Sequence, residues 1–443
     1  MTGAAAPCNG ERLVASGPSV ILLMIFLRRF AVILCAFFLC SPAFISSARA
    51  QEGPVMLTPG AAPPADDDYR NFELEKSLDA AFATGDFVGL AVAVVRKGET
   101  RFIKTWGEIE AGGATKVTPS TVFRVGSLSK GFASTLAGLA MTQGLLSPED
   151  PATRFAPGLK LTGGAETSLQ LGHLLSHQTG LPPNAYDNLL EAGTPIADIY
   201  AKYAKVKLIC PVGKCYSYQN IAYDIAGLAV SSAYGESYAD AVRTKIFAPL
   251  GMTTASVGED GLLNSTLYAR PNVRERVKGA TDEYTPWRAV DVKPNYYRVP
   301  AAGGVNASLI DMTLWLKAQM GRAPETLSPA LLDLVHAPRV ISPAETARMR
   351  RVSPRFHAAQ YAFGWRLYNY EGAPVIAHAG TVEGYAAHIA WLPEEDAGIV
   401  ILSNSASKRF WRILPTFLDL ELALPREDWL ALSAAGTGAS PTR

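Results

Sequence analysis

Three short groups of residues carry side chains that can do chemistry together. The first is Ser127-Leu128-Ser129-Lys130. Ser127 falls where an extended approach, Val122 to Gly126, gives way to helical spacing, so Ser127 and Lys130 share one helical face. A serine hydroxyl becomes a competent nucleophile when a base removes its proton. A neutral lysine one turn away can be that base if burial or nearby cations depress its pKa. The start of the helix adds backbone N–H groups and a positive dipole end for a developing oxyanion. The second group is Tyr218-Gln219-Asn220, a phenol that can relay protons and an amide that can orient a substrate carbonyl or amide. The third is His378-Ala379-Gly380-Thr381, at the end of an apolar strand. Gly380 permits close backbone approach to a ligand, and the Thr381 N–H can pair with that of Ser127 around an oxyanion. Each group alone is weak evidence. Ser-x-x-Lys arises by chance in a chain this long, and Ser405-Ala406-Ser407-Lys408 is a decoy with no later Tyr-x-Asn.

Other chemistries find less support. His173 and His177 have helical i,i+4 spacing, but no Glu stands where a metalloprotease needs one, so neither a metal nor a cofactor is expected. The chain lacks the G-x-S-x-G elbow of α/β-hydrolases. With 41 basic and 40 acidic residues the net charge is +1, which gives no electrostatic case for a nucleic-acid partner.

These groups need elements to hold them. Of the 443 residues, 48% are hydrophobic and 18% charged, a globular composition. Arg28-Arg29, the apolar run Phe30 to Cys40 and the ending Ala48-Arg49-Ala50 read as a signal peptide over residues 1–50. The protein is therefore expected to be exported, periplasmic or secreted, with no stable membrane span after cleavage; the run is too short for one. Cleavage leaves two of the five cysteines, Cys210 and Cys215. An even count in an exported chain suggests a disulfide, with two separate thiols as the alternative. Residues 51–71 read as a Pro/Ala/Asp-rich linker, residues 72–423 as the folded part and residues 424–443 as a C-terminal tail. A helix is expected around Phe72 to Thr84, a hairpin over Val88 to Trp106, and a helix over Leu128 to Gln143. Residues 140–299 read as mostly helix and loop. Extended segments return at Tyr361 to Tyr370, Pro374 to His378, Gly384 to Leu392 and Gly398 to Ser403, before a last helix at Lys408 to Ala423. Strands at both ends around a helical middle imply an α/β (α+β) fold. One sheet is built from residues 72–139 and 300–423, and a helical subdomain is inserted between them.

Taken in order, Ser-x-x-Lys, Tyr-x-Asn and His-x-Gly resemble the penicillin-recognising serine hydrolases, in particular the class C β-lactamase branch. That branch also holds D,D-peptidases, D-aminopeptidases and carboxylesterases. Phe123-Arg124-Val125-Gly126-Ser127, the run His173 to Pro182, Ala302-Gly303-Gly304 and Phe363-Gly364-Trp365 fit the same pattern. The resemblance implies an antiparallel sheet flanked by helices, with Ser127 as the acylated nucleophile. Lys130 and Tyr218 would share the base and acid roles, either one dominating. Asn220 and His378 would line the site and hold substrate, and the N–H groups of Ser127 and Thr381 would bind the oxyanion. His378 stands where β-lactamases carry lysine, and histidine is mostly neutral near pH 7, which favours an esterase or peptidase over a β-lactamase. Glu383, if near the pocket, would disfavour anions. The implied partners are a small ester, an acylated envelope glycan, a D-amino-acid peptide or a β-lactam. The rival readings are a true β-lactamase or D,D-carboxypeptidase, and a catalytically idle envelope binding protein.

Overall fold

The computed structural model describes residues 66–279 and 283–435. The expected signal peptide and the linker as far as residue 65 lie outside the described residues, as does the end of the expected tail from residue 436.

An eight-stranded antiparallel sheet joins the two ends of the folded chain. Its order is Glu99–Gly107, Gly89–Arg96, Ala397–Ser403, Tyr385–Leu392, Ala373–Val382, Arg366–Tyr370, Phe356–Tyr361 and Val340–Ile341. The first strand of the chain pairs with the last, Leu90 facing Ser403 and Arg96 facing Ala397. The opening hairpin closes through Lys97 and Gly98, both at positive φ (53° and 79°), the turn whose twist matches its strands.

Alternation along Gly89–Arg96 supplies both layers. Leu90, Val92 and Val94 pack with Leu74, Leu78, Ile413, Leu414, Phe417 and Leu418 from two terminal helices, Asp67–Ala83 and Ile413–Glu421. Ala91, Ala93 and Val95 face the larger core, with Phe132 and Leu136 of the helix Ser129–Thr142 and Met312, Trp315 and Leu316 of Leu309–Gln319. Phe132 stacks on Trp315 at 4.1 Å between ring centroids. The inserted segment packs on the same core through Ile225–Tyr234. A second, three-stranded sheet runs Val122–Arg124, Val305–Ser308, Ser256–Val257, so the approach to Ser127 is itself a strand. No described helix is long and apolar enough to cross a membrane.

Three expectations are corrected. The helix begins at Asp67, inside the expected linker: Asp66 accepts from Tyr69 N at 2.8 Å as its N-cap, and Asp67 and Asp68 complement the helix dipole. The expected tail is packed as far as Leu430, which is buried, while Trp429 Nε1 donates to Asp419 at 2.6 Å. The expected extended run Tyr361 to Tyr370 is broken: Tyr361 ends one strand, residues 362–365 turn, and Arg366–Tyr370 forms the next. Gly364, at φ 74°, turns the chain against the helix of Lys130, and Ala362 N bonds to Trp365 O at 2.8 Å.

Candidate active site

The turn that carries Ser127 is fixed by its neighbours. The chain leaves Val122–Arg124 and reaches Gly126, whose φ of 53° is left-handed; a Cβ there would sit 3.1 Å from Thr381 N. Ser127 lies in a single 3-10 turn, Gly126–Leu128, ahead of the long helix. Ser129 pins this turn, donating its hydroxyl to Gly126 O at 2.7 Å and accepting from Val305 N at 2.9 Å. Lys130 is fully buried, and its Nζ reaches Asn220 Oδ1 at 2.7 Å, Ala302 O at 3.0 Å and Ser127 Oγ at 3.3 Å. Burial depresses the Lys130 pKa; Tyr218 and Asp187 oppose that, and Arg366 adds to it.

Tyr218-Gln219-Asn220 is held from behind by the His173–Pro182 run. His177 Nδ1 accepts from Gln219 N at 3.2 Å, and Ser217 N donates to His177 O at 2.7 Å. The buried His177 ring lies 4.3 Å from the Tyr218 ring. Tyr218 in turn lies under Lys130 Nζ, 4.7 Å from the ring centroid. Cys210 and Cys215 are disulfide-bonded. Within their loop Gly213 exchanges two bonds with Gln178, N to O at 2.8 Å and O from Nε2 at 3.0 Å. The disulfide therefore stiffens a loop that braces the Tyr218 segment. His173 caps its own short helix, its Nδ1 accepting from Gln170 N. The decoy serine Ser405 is likewise structural, accepting from Val88 N at 2.9 Å.

The third group differs from expectation. His378 does not present its ring to the site surface; it is 1% exposed. Its Nδ1 lies 2.9 Å from Ala379 O, an acceptor only, so that nitrogen carries the proton. Its Nε2 then accepts from Tyr361 OH at 3.0 Å and from the Arg366 guanidinium at 3.1 Å. Burial, then the charges of Arg366 and Lys130, keep its pKa well below the usual histidine range, so it is neutral. Gly380 also differs. Its close approach is to the turn that carries Ser127: a Cβ would lie 2.0 Å from Val125 O and 2.9 Å from Ser127 N. This contact brings Thr381 beside Ser127.

Ser127, Tyr218, Asn220, Ala379 and Thr381 line one cleft of about 490 Å³. Four charged residues that sequence reasoning missed complete it. The helical insert contributes Asp187 and Glu191; the sheet side contributes Arg348 and Arg366. Arg348 and Arg366 share the buried Glu345, at 2.6 Å and 3.1 Å. Although burial would raise its carboxyl, Arg366 and Arg348 hold Glu345 down at about 2. The cleft's sheet side is thus positive despite a neutral His378. Arg366 directly follows the Phe363-Gly364-Trp365 run, and that position was the available signal; Asp187 had none. Glu383 does not line the cleft and pairs with Lys293 at 2.9 Å. Tyr296 and Trp411 add aromatic surface to the cleft beside Tyr218, whereas Trp315 is core and Tyr297 stacks on Arg124 at 3.8 Å. Among the described residues, no group of three His, Cys, Asp or Glu could hold a metal ion.

A family model described as Beta-lactamase matches residues 74–422. An unguisins hydrolase of Aspergillus campestris is 26% identical over 79% of this chain and 64% of its own length. The Staphylococcus aureus protein flp is 23% identical over 76% of this chain and 63% of its own. The chain thus spans just under two thirds of the length of these two relatives. In fold, the octameric penicillin-binding protein homologue from Pyrococcus abyssi superposes with a TM-score of 0.68 at 23% identity, over 81% of this chain and 79% of that one.

Proposed function

Because this chain belongs to the β-lactamase family, whose members are serine hydrolases, we propose that it cleaves an ester or amide through an acyl-enzyme on Ser127. The observation that carries this reading is a fully buried lysine with its Nζ 3.3 Å from the Ser127 hydroxyl. In the neutral form favoured by burial, Lys130 accepts the Ser127 proton as the hydroxyl attacks the substrate carbonyl. The N–H groups of Ser127 and Thr381 receive the oxyanion. The proton passes through Lys130 and Tyr218 to the departing alcohol or amine. Water then attacks the acyl-enzyme, returning its proton by the same groups. His378 acts from beneath the cleft, orienting Arg366 rather than touching substrate.

We place the substrate among esters and peptides. The third group offers no lysine charge, and the relatives named unguisins hydrolases support hydrolysis as the chain's activity. A D,D-carboxypeptidase or β-lactamase is the second reading, favoured by Arg348 and Arg366 in the cleft, which give a substrate carboxylate a cationic wall. Cleavage after Ala50 and export to the periplasm or medium complete the proposal. The test is a panel of p-nitrophenyl esters, D-Ala-D-Ala peptides and nitrocefin on wild type and Ser127→Ala. Ester or peptide turnover lost in Ser127→Ala supports the proposal. Efficient nitrocefin turnover promotes the second reading, and turnover retained in Ser127→Ala refutes both.

A further inference from the structure

We propose that Asp187 is a positioning residue: its carboxylate holds the Asn220 amide with the carbonyl toward Lys130 and sets a counter-charge one amide away from that base. This inference rests on the acyl-enzyme reading and adds to it a residue that the three sequence motifs do not contain.

The two ends of an amide have nearly the same shape, so its orientation is decided by its partners. Asn220 Oδ1 accepts from Lys130 Nζ at 2.7 Å, and Asn220 Nδ2 donates to Asp187 Oδ2 at 2.7 Å. Neutral or protonated, Lys130 has an N–H for Asn220 while a carboxylate offers only acceptors, so the observed orientation satisfies both ends in either state. Turned over, the amide would set N–H groups against the ammonium and oxygen against carboxylate. Asp187 is what excludes that arrangement.

Asp187 is itself firmly placed. It opens the helix Asp187–Glu191, with its N–H bonded to Asn184 O at 3.1 Å. Asn184 N bonds to Tyr218 O at 2.8 Å, tying this helix start to the segment that carries Asn220. Asn184 and Tyr186 both hold positive φ, 54° and 63°, conformations that non-glycine residues keep only where the surroundings enforce them. Tyr296 OH approaches Asp187 Oδ2 at 3.4 Å, while Oδ1 is buried without a protein partner.

The other charged or titratable groups around Lys130 do not duplicate this role. Arg366 is cationic and disfavours the ammonium. His177 and His378 are buried and held neutral. Tyr218 favours the ammonium more than Asp187 does, through its hydroxyl and with its ring beneath Nζ, but it does not hold the Asn220 amide; the Tyr223 hydroxyl is spent on Lys130 O at 2.9 Å. The Asp224 carboxyl is spent on Ala301 N at 2.8 Å. Asp187 is therefore, among the described residues, the carboxylate joined to Lys130 by hydrogen bonds.

Removing its charge makes the ammonium form of Lys130 less favoured, so neutral base is reached at lower pH. The test is the pH profile of kcat/KM for a short-chain p-nitrophenyl ester from pH 5 to 9. Wild type, Asp187→Asn, Asp187→Ala and Ser127→Ala are compared, with folding checked by circular dichroism. Asp187→Asn keeps an acceptor for Asn220 and loses the charge; its acidic limb should move down by about one pH unit, given an effective dielectric near 20. Asp187→Ala also frees the amide; its limb should move the same way, with kcat lowered about tenfold or more. A merely structural residue would lower kcat and leave the limb in place. An unmoved limb in whichever variant folds overturns this inference while Ser127→Ala is inactive. Turnover retained in Ser127→Ala overturns the underlying reading instead.

Discussion

Gly380→Ala tests how the proposed oxyanion pocket is built. The added Cβ would lie 2.0 Å from Val125 O, 2.9 Å from Ser127 N and 3.1 Å from Leu128 Cδ1, where ordinary contact begins at 3.4 Å. The two nearest obstacles are backbone atoms of the nucleophile turn, so no side-chain rotation relieves them. Relief requires the strand and the turn to separate by roughly 1.4 Å, the difference between 3.4 Å and 2.0 Å. The strand is paired on both sides, with Gly380 facing Ala387 and Ala377 facing Arg366, so it cannot retreat alone. A shift of about 1 Å takes the Thr381 N–H out of reach of an oxyanion, and misplacement on that scale can cost about 100-fold. Loss of one oxyanion donor lowers kcat by about 10² to 10³, or roughly 2.7–4 kcal/mol of transition-state stabilisation. The assay is steady-state ester hydrolysis, with circular dichroism and thermal unfolding to show that the variant folds. The expected pattern is a fall in kcat with KM little changed. A folded Gly380→Ala enzyme with kcat within about threefold of wild type would refute the contact between strand and turn as the basis of the pocket.

Lys130→Ala should lower kcat by several orders of magnitude on the same ester, because grouped catalytic side chains fail as a unit; near-normal turnover would remove Lys130 from the mechanism. Asp224 is buried, and burial raises its carboxyl from 3.8 to about 7. The folded state therefore holds this proton more tightly than the unfolded chain, and the stability it contributes is fully present below about pH 3.8 and lost as pH rises to about 7. That window corresponds to roughly 4 kcal/mol at most. Asp224→Asn keeps an acceptor for Ala301 N and removes the titration, so its stability relative to wild type should grow between pH 4.5 and pH 8 in urea melts; parallel melts at the two pH values would count against the assignment. Replacing Cys210 and Cys215 together by Ser should cost about 2 kcal/mol in urea unfolding, by loop entropy, and should lower kcat through the Tyr218 segment. Unchanged activity would show that the loop does not brace that segment.

The parts of the site written as short motifs were legible, and the parts assembled by topology were not. Ser127 and Lys130 lie on one turn, so their proximity follows from helix geometry. Tyr218 and Asn220 were found as types, but their support by His177 and Gln178 is a tertiary fact. His378 was found, yet its direction depended on Tyr361 and Arg366, which reach it from the next two strands of the sheet, Arg366–Tyr370 and, beyond it, Phe356–Tyr361. The expectation of a site without fixed positive charge considered His378 alone and missed Arg366 one residue past a recognised run. Asp187 sits 33 positions from Asn220, in a five-residue helix with no periodicity to announce it. The sheet was legible from Val-rich and Ala-rich alternation at both ends of the chain. Its errors came from local chemistry: an Asp run that caps a helix, and a glycine that turns an apolar stretch into two strands.

The central claim is that Ser127 carries the acyl group. A fluorophosphonate probe followed by peptide mass spectrometry tests it most directly. One covalent adduct is expected on the peptide containing Ser127, formed by wild type and absent from folded Ser127→Ala. Equal labelling of the two proteins, or an adduct on a different serine, would contradict it.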